Sequence, residues 1–431
     1  MAQQSQILDG PSAAADLSSR RRRPLANRNF RLLWMGENVS LLGDQFYLIV
    51  LPTLVFHMTE SSLAFGAVLL AAGLPRALLM IIGGVMTDRI SPRRVMIRSN
   101  LARLAITALL TLLVAAEAVQ LWMLFLAAFC FGLVDAFFHP AYRAMMPLIV
   151  EEQDLQTSNA FMQGSAQIVN MAGPGVAGVI IARLGTVVAL TLDTFSFLFT
   201  SAALFCMHPP SMERPPTAAR VETGAVTEPV KGRLLSEIGE VFTYIRQDRL
   251  LTILIGVVAA INLFFTGPLV VGSAALSHVR FEAGSAGFGA MLSSFSVGIL
   301  IGTVSAGVAR LKQPGLISLL GVASQGLFMV GIGLSGSLEL ACILWLIVGC
   351  TAGFGSLNFI TLTQKRVNRA MMGRFMSLIA LAEVGLAPIS NAVAGVVADL
   401  NLTALFIGAG ALLTTVALVG VSNRIVRTGE V

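Results

Sequence analysis

Gly84-Val85-Met86-Thr87-Asp88-Arg89-Ile90-Ser91-Pro92-Arg93-Arg94-Val95-Met96 decides the fold. The stretch joins two apolar segments, each long enough to cross a bilayer, through a tight turn carrying one acid and three arginines. Lys and Arg in short loops hold such a hairpin on the cytoplasmic side.

Composition extends that reading to the whole chain. Hydrophobic residues make up 55% of it and charged residues 12%, against about 25% charged in soluble domains; the mean hydropathy is +0.81. The charge of +6 follows from basic loops, so nucleic acid is not an expected partner. Cys130, Cys206, Cys342 and Cys350 stand singly in apolar segments, with neither metal-ligand nor disulfide spacing.

Working outward, segments of about 20 residues or more that could span fall near 33–56, 62–87, 95–116, 120–143, 157–182, 186–207, 250–276, 285–309, 316–335, 339–362, 374–398 and 402–422. With both termini inside, all but three of the 29 Lys and Arg lie in or beside cytoplasmic segments. Arg183 and Arg280 are outside and Arg76 is mid-span. The expected fold is all-α and integral to the membrane, with twelve helices in two six-helix bundles. The expected organisation is a basic cytoplasmic tail (1–28), an N-terminal bundle (29–207), a linker (208–249), a C-terminal bundle (250–422) and a short tail (423–431). The tail ending in Arg20-Arg21-Arg22-Arg23 is not read as a cleavable signal, because the apolar stretch after it is too long and contains Glu37 and Asp44. In the linker, Leu234, Leu235, Ile238, Val241, Phe242 and Ile245 predict an amphipathic helix on the inner membrane surface.

The two bundles read as repeats. Ala177-Gly178-Val179-Ile180 in the fifth span matches Ala394-Gly395-Val396-Val397 in the eleventh at an offset of 217 residues, and Gly84 matches Gly302 at 218. Parallel repeats with a site between them are a secondary-transporter architecture.

Ionisable residues inside spans carry the functional information, since each costs roughly 2.5–3.5 kcal/mol at mid-bilayer. Glu37, Asp44, Asp135 and Glu383 are therefore expected to face one another, a partner or water. Glu37, Ser40, Asp44 and Tyr47 share one stripe of the first span. Asp44 and Arg76 lie at similar depth, roughly 15–17 Å from the cytoplasmic ends of their helices at about 1.5 Å per residue, which predicts an ion pair, either structural or coupled to function. Asp135, His139 and Arg143 form a stripe of the fourth span beside Pro140; His139 is either a proton relay or a satisfied hydrogen-bonding group. Asp44 and Glu383 are the leading candidates for loading and releasing a proton, with Asp135 and His139 behind them. Gln163, Gln167 and Asn170 recur at helical spacing in the fifth span; with Glu37, Tyr47, Arg76, Asn262 and Asn358 they are candidates for a cavity lining.

Several stretches together carry a family resemblance. The opening hairpin, with Gly84, Asp88-Arg89 and Arg93-Arg94, resembles the signature between helices 2 and 3 of the major facilitator superfamily; Ser91-Pro92 stands where that signature has Gly. Gly164, Gly173-Pro174 and Gly178 are similar to the Gly-Pro motif of its antiporters. Asn29-Phe30-Arg31-Leu32-Leu33-Trp34, Gly43-Asp44, Pro75-Arg76, Pro140-Ala141, Gln364 and Met372-Gly373-Arg374 are similar to the branch holding macrolide-efflux proteins and the enterobactin exporter. The resemblance implies alternating access driven by a proton gradient, with no bound cofactor. It also implies a gating role for the hairpin, in which Asp88 bridges to the start of the eleventh helix. Arg89, Arg93 and Arg94 could equally anchor the loop to anionic lipid.

The expectation is a monomeric, multi-pass protein of a bacterial inner membrane that exports an amphipathic small molecule in exchange for protons. A siderophore exporter, a lipid flippase and a transport-inactive membrane sensor are the alternatives. No phosphate-binding loop, metal cluster or nucleophile set suggests an enzyme.

Overall fold

A computed structural model describes residues 24–207, 249–309, 313–367 and 369–422. Among them are twelve helices long and apolar enough to cross a membrane. The N-terminal six are α1 (Arg28–Thr59), α2 (Ser62–Arg89), α3 (Pro92–Ala115), α4 (Leu121–Ile149), α5 (Leu155–Leu184) and α6 (Thr186–Phe205). The C-terminal six begin with α7, which runs from Arg249–Phe264 on through π-helical turns at Pro268–Gly272 and Leu276–Arg280. α8 (Gly284–Val308), α9 (Pro314–Leu334), α10 (Leu338–Arg366), α11 (Arg369–Leu400) and α12 (Leu402–Ser422) complete the chain. The predicted linker helix, most of the linker itself and both chain ends lie outside the described residues.

Local chemistry sets the helix ends. The Asn27 side chain accepts from the backbone N–H groups of Asn29 and Phe30 at the start of α1, Ser61 caps α2 through Ala64, and Ser337 caps α10 through Leu340. Pro92 and Pro314 occupy first turns, where a missing N–H costs nothing. Between α5 and α6 a single residue reverses the chain, and Gly185 supplies it at φ +86°.

The two bundles meet through α2 with α11 and α5 with α8. The sequence repeat accounts for the pairing. A Cβ on Gly178 would lie 2.6 Å from the Ser285 carbonyl oxygen of α8, and a Cβ on Gly395 would lie 2.7 Å from the Ser62 carbonyl oxygen of α2. The matched glycines thus make equivalent contacts, each admitting the first turn of a helix from the other bundle. Gly66 packs on Asn391 and Gly289 on Pro174 in the same manner. The second matched pair shifts by one residue. Gly302 packs against Cys350 of α10, but its counterpart against α4 is Gly83, on Ala136, whereas Gly84 faces open space.

All these inter-bundle contacts lie toward one end, where the short 59–62, 184–186, 280–284 and 400–402 connections sit. We call it the far end. Phe56 of α1 and His278 of α7 stack there, with ring centroids 5.1 Å apart. Asp399 of α11 accepts from the Ser61 hydroxyl at 2.6 Å and from the Ser62 backbone N–H at 2.5 Å. These contacts hold the bundles closed on each other at the far end.

Candidate functional site

The N-terminal bundle gathers ionisable side chains from five of its helices. Along the predicted stripe of α1, Ser40 is buried and Glu37, Asp44 and Tyr47 are partly buried. α2 contributes Arg76, α3 Arg103, α4 Asp135 and His139, and α6 Asp193. Close helix approach makes the grouping possible. A Cβ on Gly43 would lie 2.6 Å from Asp193 Oδ1, and Gly132 of α4 sits against the Ala72 carbonyl of α2.

The expected Asp44–Arg76 ion pair does not form. Arg103 Nη2 instead donates to Asp135 Oδ1, the one ion pair within 4 Å among the described residues. Arg103 is 3% exposed, and its guanidinium lies 4.1 Å from the Phe138 ring centroid and 5.7 Å from that of Phe197. Depth alone could not choose between the arginines. α3 faces α4 at Asp135, while Arg76 and Arg103 both act on Asp44 electrostatically without touching it. Arg76 Nε is buried without a hydrogen-bond partner.

Aromatic rings close the cluster. Tyr47 stacks on Phe131 at 4.7 Å, and Phe131 meets Phe197 at 6.2 Å. The Tyr47 hydroxyl, Glu37 Oε2 and Arg103 Nε are buried and unpartnered, and the Asp193 carboxyl has the Ser196 hydroxyl as its polar neighbour. His139 is partly buried beside Phe138, among the charges of Arg76, Asp135, Arg103 and Arg143.

Asp193 escaped the sequence reading although the same rule finds it. It is a carboxyl eight residues into an apolar span, and it is fully buried. The hydroxyls of the neighbouring Thr191, Thr194 and Ser196 donate to backbone carbonyls of their own helix.

The other candidates are dispersed. Glu383 is exposed on α11, outside the cluster, and Arg143 of the N-terminal bundle is the charge that acts on it. Gln163 is exposed and Gln167 partly buried; Asn170 accepts from Gln45 at 3.0 Å. Asn262 and Asn358 donate to carbonyls of their own helices, at Val258 and Phe354. Gly173 and Pro174 are buried, Gly173 against Gln45, so the Gly-Pro motif is a packing seam within the N-terminal bundle and toward α8. Gly164 lies beyond that seam.

In the opening hairpin, Arg93 donates to the Leu204 and Phe205 carbonyls at 2.9 and 2.8 Å, tying the loop to the C-terminus of α6. That contact was not foreseen. Arg94 is exposed. The side chains of Asp88, Arg89 and Arg374 lie outside the described residues, and with them the expected bridge to α11.

Two six-helix bundles, with a buried charged cluster in one, are an architecture of membrane transporters. Comparison with known proteins agrees. The family described as transmembrane secretion effector, a branch of the major facilitator superfamily, matches residues 21–430, and the chain belongs to it. The macrolide efflux protein A of Streptococcus pyogenes is 23% identical over 401 residues, covering 90% of this chain and 94% of that one. The enterobactin exporter EntS of Citrobacter koseri is 25% identical over 417 residues, covering 91% and 88%. A crystal structure of a peptide transporter, POT, in complex with sulfate shares the fold at a TM-score of 0.70 and 14% identity, covering 93% of this chain and 96% of its own.

Proposed function

We propose that this transporter exports an amphipathic small molecule from the cytoplasm in exchange for protons. It would sit in a bacterial inner membrane with both termini inside. The observation that carries the reading is the charge imbalance of the cluster. Glu37, Asp44, Asp135 and Asp193 outnumber Arg76 and Arg103 among buried and partly buried side chains of one bundle. Uncompensated buried anions are costly, so the surplus carboxyls call for protons or a cationic partner, and a cycle that exchanges one for the other does useful work. With the termini inside, the described conformation is open to the cytoplasm. Asp44, at the centre of the cluster, binds in its ionised form and releases its partner when protonated from outside. Glu383 of α11, on which Arg143 of the N-terminal bundle acts, is the second candidate.

The efflux relatives favour export of a drug-like or secondary-metabolite substrate. Siderophore export has the enterobactin exporter in its favour, but one of the two arginines that would meet an anion is already engaged by Asp135. The test is accumulation of erythromycin, ethidium and a catecholate siderophore in cells expressing the chain or its Asp44→Asn variant, with and without a protonophore. Accumulation of at least one compound is expected to fall only with both gradient and Asp44 present. An unchanged level for every compound, with the protein in the membrane, would overturn the reading.

A further inference from the structure

His278 presents an ionisable ring to the closure between the bundles. The ring stacks on Phe56 of α1, with centroids 5.1 Å and planes 11° apart, and Phe56 is itself buried against Phe65 of α2. Nδ1 of the imidazole lies 3.0 Å from the Ala274 carbonyl oxygen, one turn back. A carbonyl only accepts, so Nδ1 carries the proton, and Nε2 of the neutral ring keeps its lone pair. Nε2 is buried and has no hydrogen-bond partner. The helix tip that carries the ring is fixed to the C-terminal bundle. Arg280 donates to the Gly333 carbonyl of α9 at 2.7 Å and to the Thr403 hydroxyl of α12 at 2.6 Å, and the Ser277 hydroxyl donates to the Gly284 carbonyl at 2.6 Å. Breaking the stack therefore frees α1 from a fixed partner rather than bending α7.

The other ionisable groups around the ring are His57 and Glu60 at the end of α1, Arg280 and Glu282 beside it in the chain, and Asp399 of α11. His57, Glu60 and Glu282 are exposed. Arg280 is engaged as described, and Asp399 is held by Ser61 and Ser62. Burial and the Ala274 carbonyl act on the ring, and no charged group among the described residues does.

Protonation would add an N–H at Nε2, directed into a packed seam that offers no acceptor. A buried charged donor without a partner is costly. The Phe56 face attracts a cation, but the two rings are nearly parallel, so Nε2–H points along the seam and not at that face. Parting the bundles gives the same N–H to water. We propose that His278 is a proton-sensitive latch of the far end: neutral, it holds α7 on α1, and protonated from the far side it lets them go. The sign follows from the two states. The closed one fits the neutral ring and the open one accepts the charged ring, so closure is strongest at high pH and is lost as pH falls. Histidine is the side chain that ordinarily changes charge between about pH 5 and 8. The latch carries no proton across the membrane; it reads the proton concentration on one side.

This inference rests on the alternating-access reading, and its experiment uses no substrate, so it stands or falls apart from the export test. In the full-length chain with Cys130, Cys206, Cys342 and Cys350 changed to Ser, spin labels are placed through Leu184→Cys of α5 and Leu334→Cys of α9, both exposed at the far end. Their separation in lipid nanodiscs reports whether the bundles are closed there. Between about pH 8 and pH 5 the labelled parent is expected to gain a longer-distance population, its closed-to-open ratio falling at least fivefold. His278→Phe, which keeps the stack, and His278→Gln, which keeps a polar group, are each expected to hold the ratio within twofold over that range. His57→Gln and Asp44→Asn are expected to keep the parent's response. A parent with no pH response overturns the proposal. So does a response that survives in either His278 variant, or one that disappears in His57→Gln or Asp44→Asn.

Discussion

Arg103 is the side chain on which the cluster is built, because it is the cation with a partner in contact. Removing one member of a buried ion pair leaves the other uncompensated, at a cost of about 3–5 kcal/mol, whereas replacing both by apolar groups can be nearly neutral. Arg103→Leu is therefore expected to lower the thermal midpoint of the purified protein strongly, and Arg103→Leu with Asp135→Leu to recover most of the loss. A double variant no more stable than the single one would mean that Arg103 works through its rings, Phe138 and Phe197, instead. Gly43→Ala should also destabilise in the same measurement, by about 1–3 kcal/mol for an overpacked site, because the added methyl meets Ser196 as well as Asp193. At this scale the sequence showed which residues must be buried together but not which would touch. Glu37, Asp44 and Asp135 were legible because a charge in an apolar span is conspicuous. The partner of Asp135 was not, since pairing depends on the rotation of α3 about its axis, and single-chain spacing does not contain that angle.

Among the helices, closure at the far end is carried by two related seams and a latch. The Gly178 seam and the Gly395 seam hold the same place in their repeats, so a bulky residue at either should act alike. Gly178→Leu and Gly395→Leu are each expected to separate the bundles at the far end. Spin labels on α1 and α7 near Phe56 and His278 would then report a longer distance. A change for one glycine only would break the equivalence that the repeat implies. The Asp399 carboxylate at the N-terminus of α2 adds the interaction of an anion with free N–H groups. At about 1 kcal/mol for loss of such a cap, Asp399→Ala should move the closed-to-open ratio about fivefold in the same measurement. The repeat itself was readable from two short glycine matches. One was displaced by a residue, Gly83 acting where Gly84 was expected, because neighbouring glycines in a helix point about 100° apart and only packing shows which meets a neighbour.

For the molecule as a whole, the twelve spans and the six-and-six division followed from hydropathy and basic loops. The conformational state did not, because one sequence encodes every state of a cycle. The described arrangement is closed at 56–66 and 391–399; under the proposed function it is one end of an alternating-access motion. If transport requires the far end to open, fixing it shut must stop the cycle. Ser61 and Asp399 offer the place, since their side chains already meet and lie at the exposed ends of α2 and α11. In a chain with Cys130, Cys206, Cys342 and Cys350 changed to Ser, Ser61→Cys with Asp399→Cys is expected to form a disulfide on mild oxidation. Uptake of probe into inverted vesicles should then fall to the level of empty membranes and return on reduction, while either single variant is indifferent to oxidant. Undiminished uptake by fully cross-linked protein would mean that this end stays closed throughout the cycle, and that the substrate leaves sideways between helices, as a lipid-handling protein would release it.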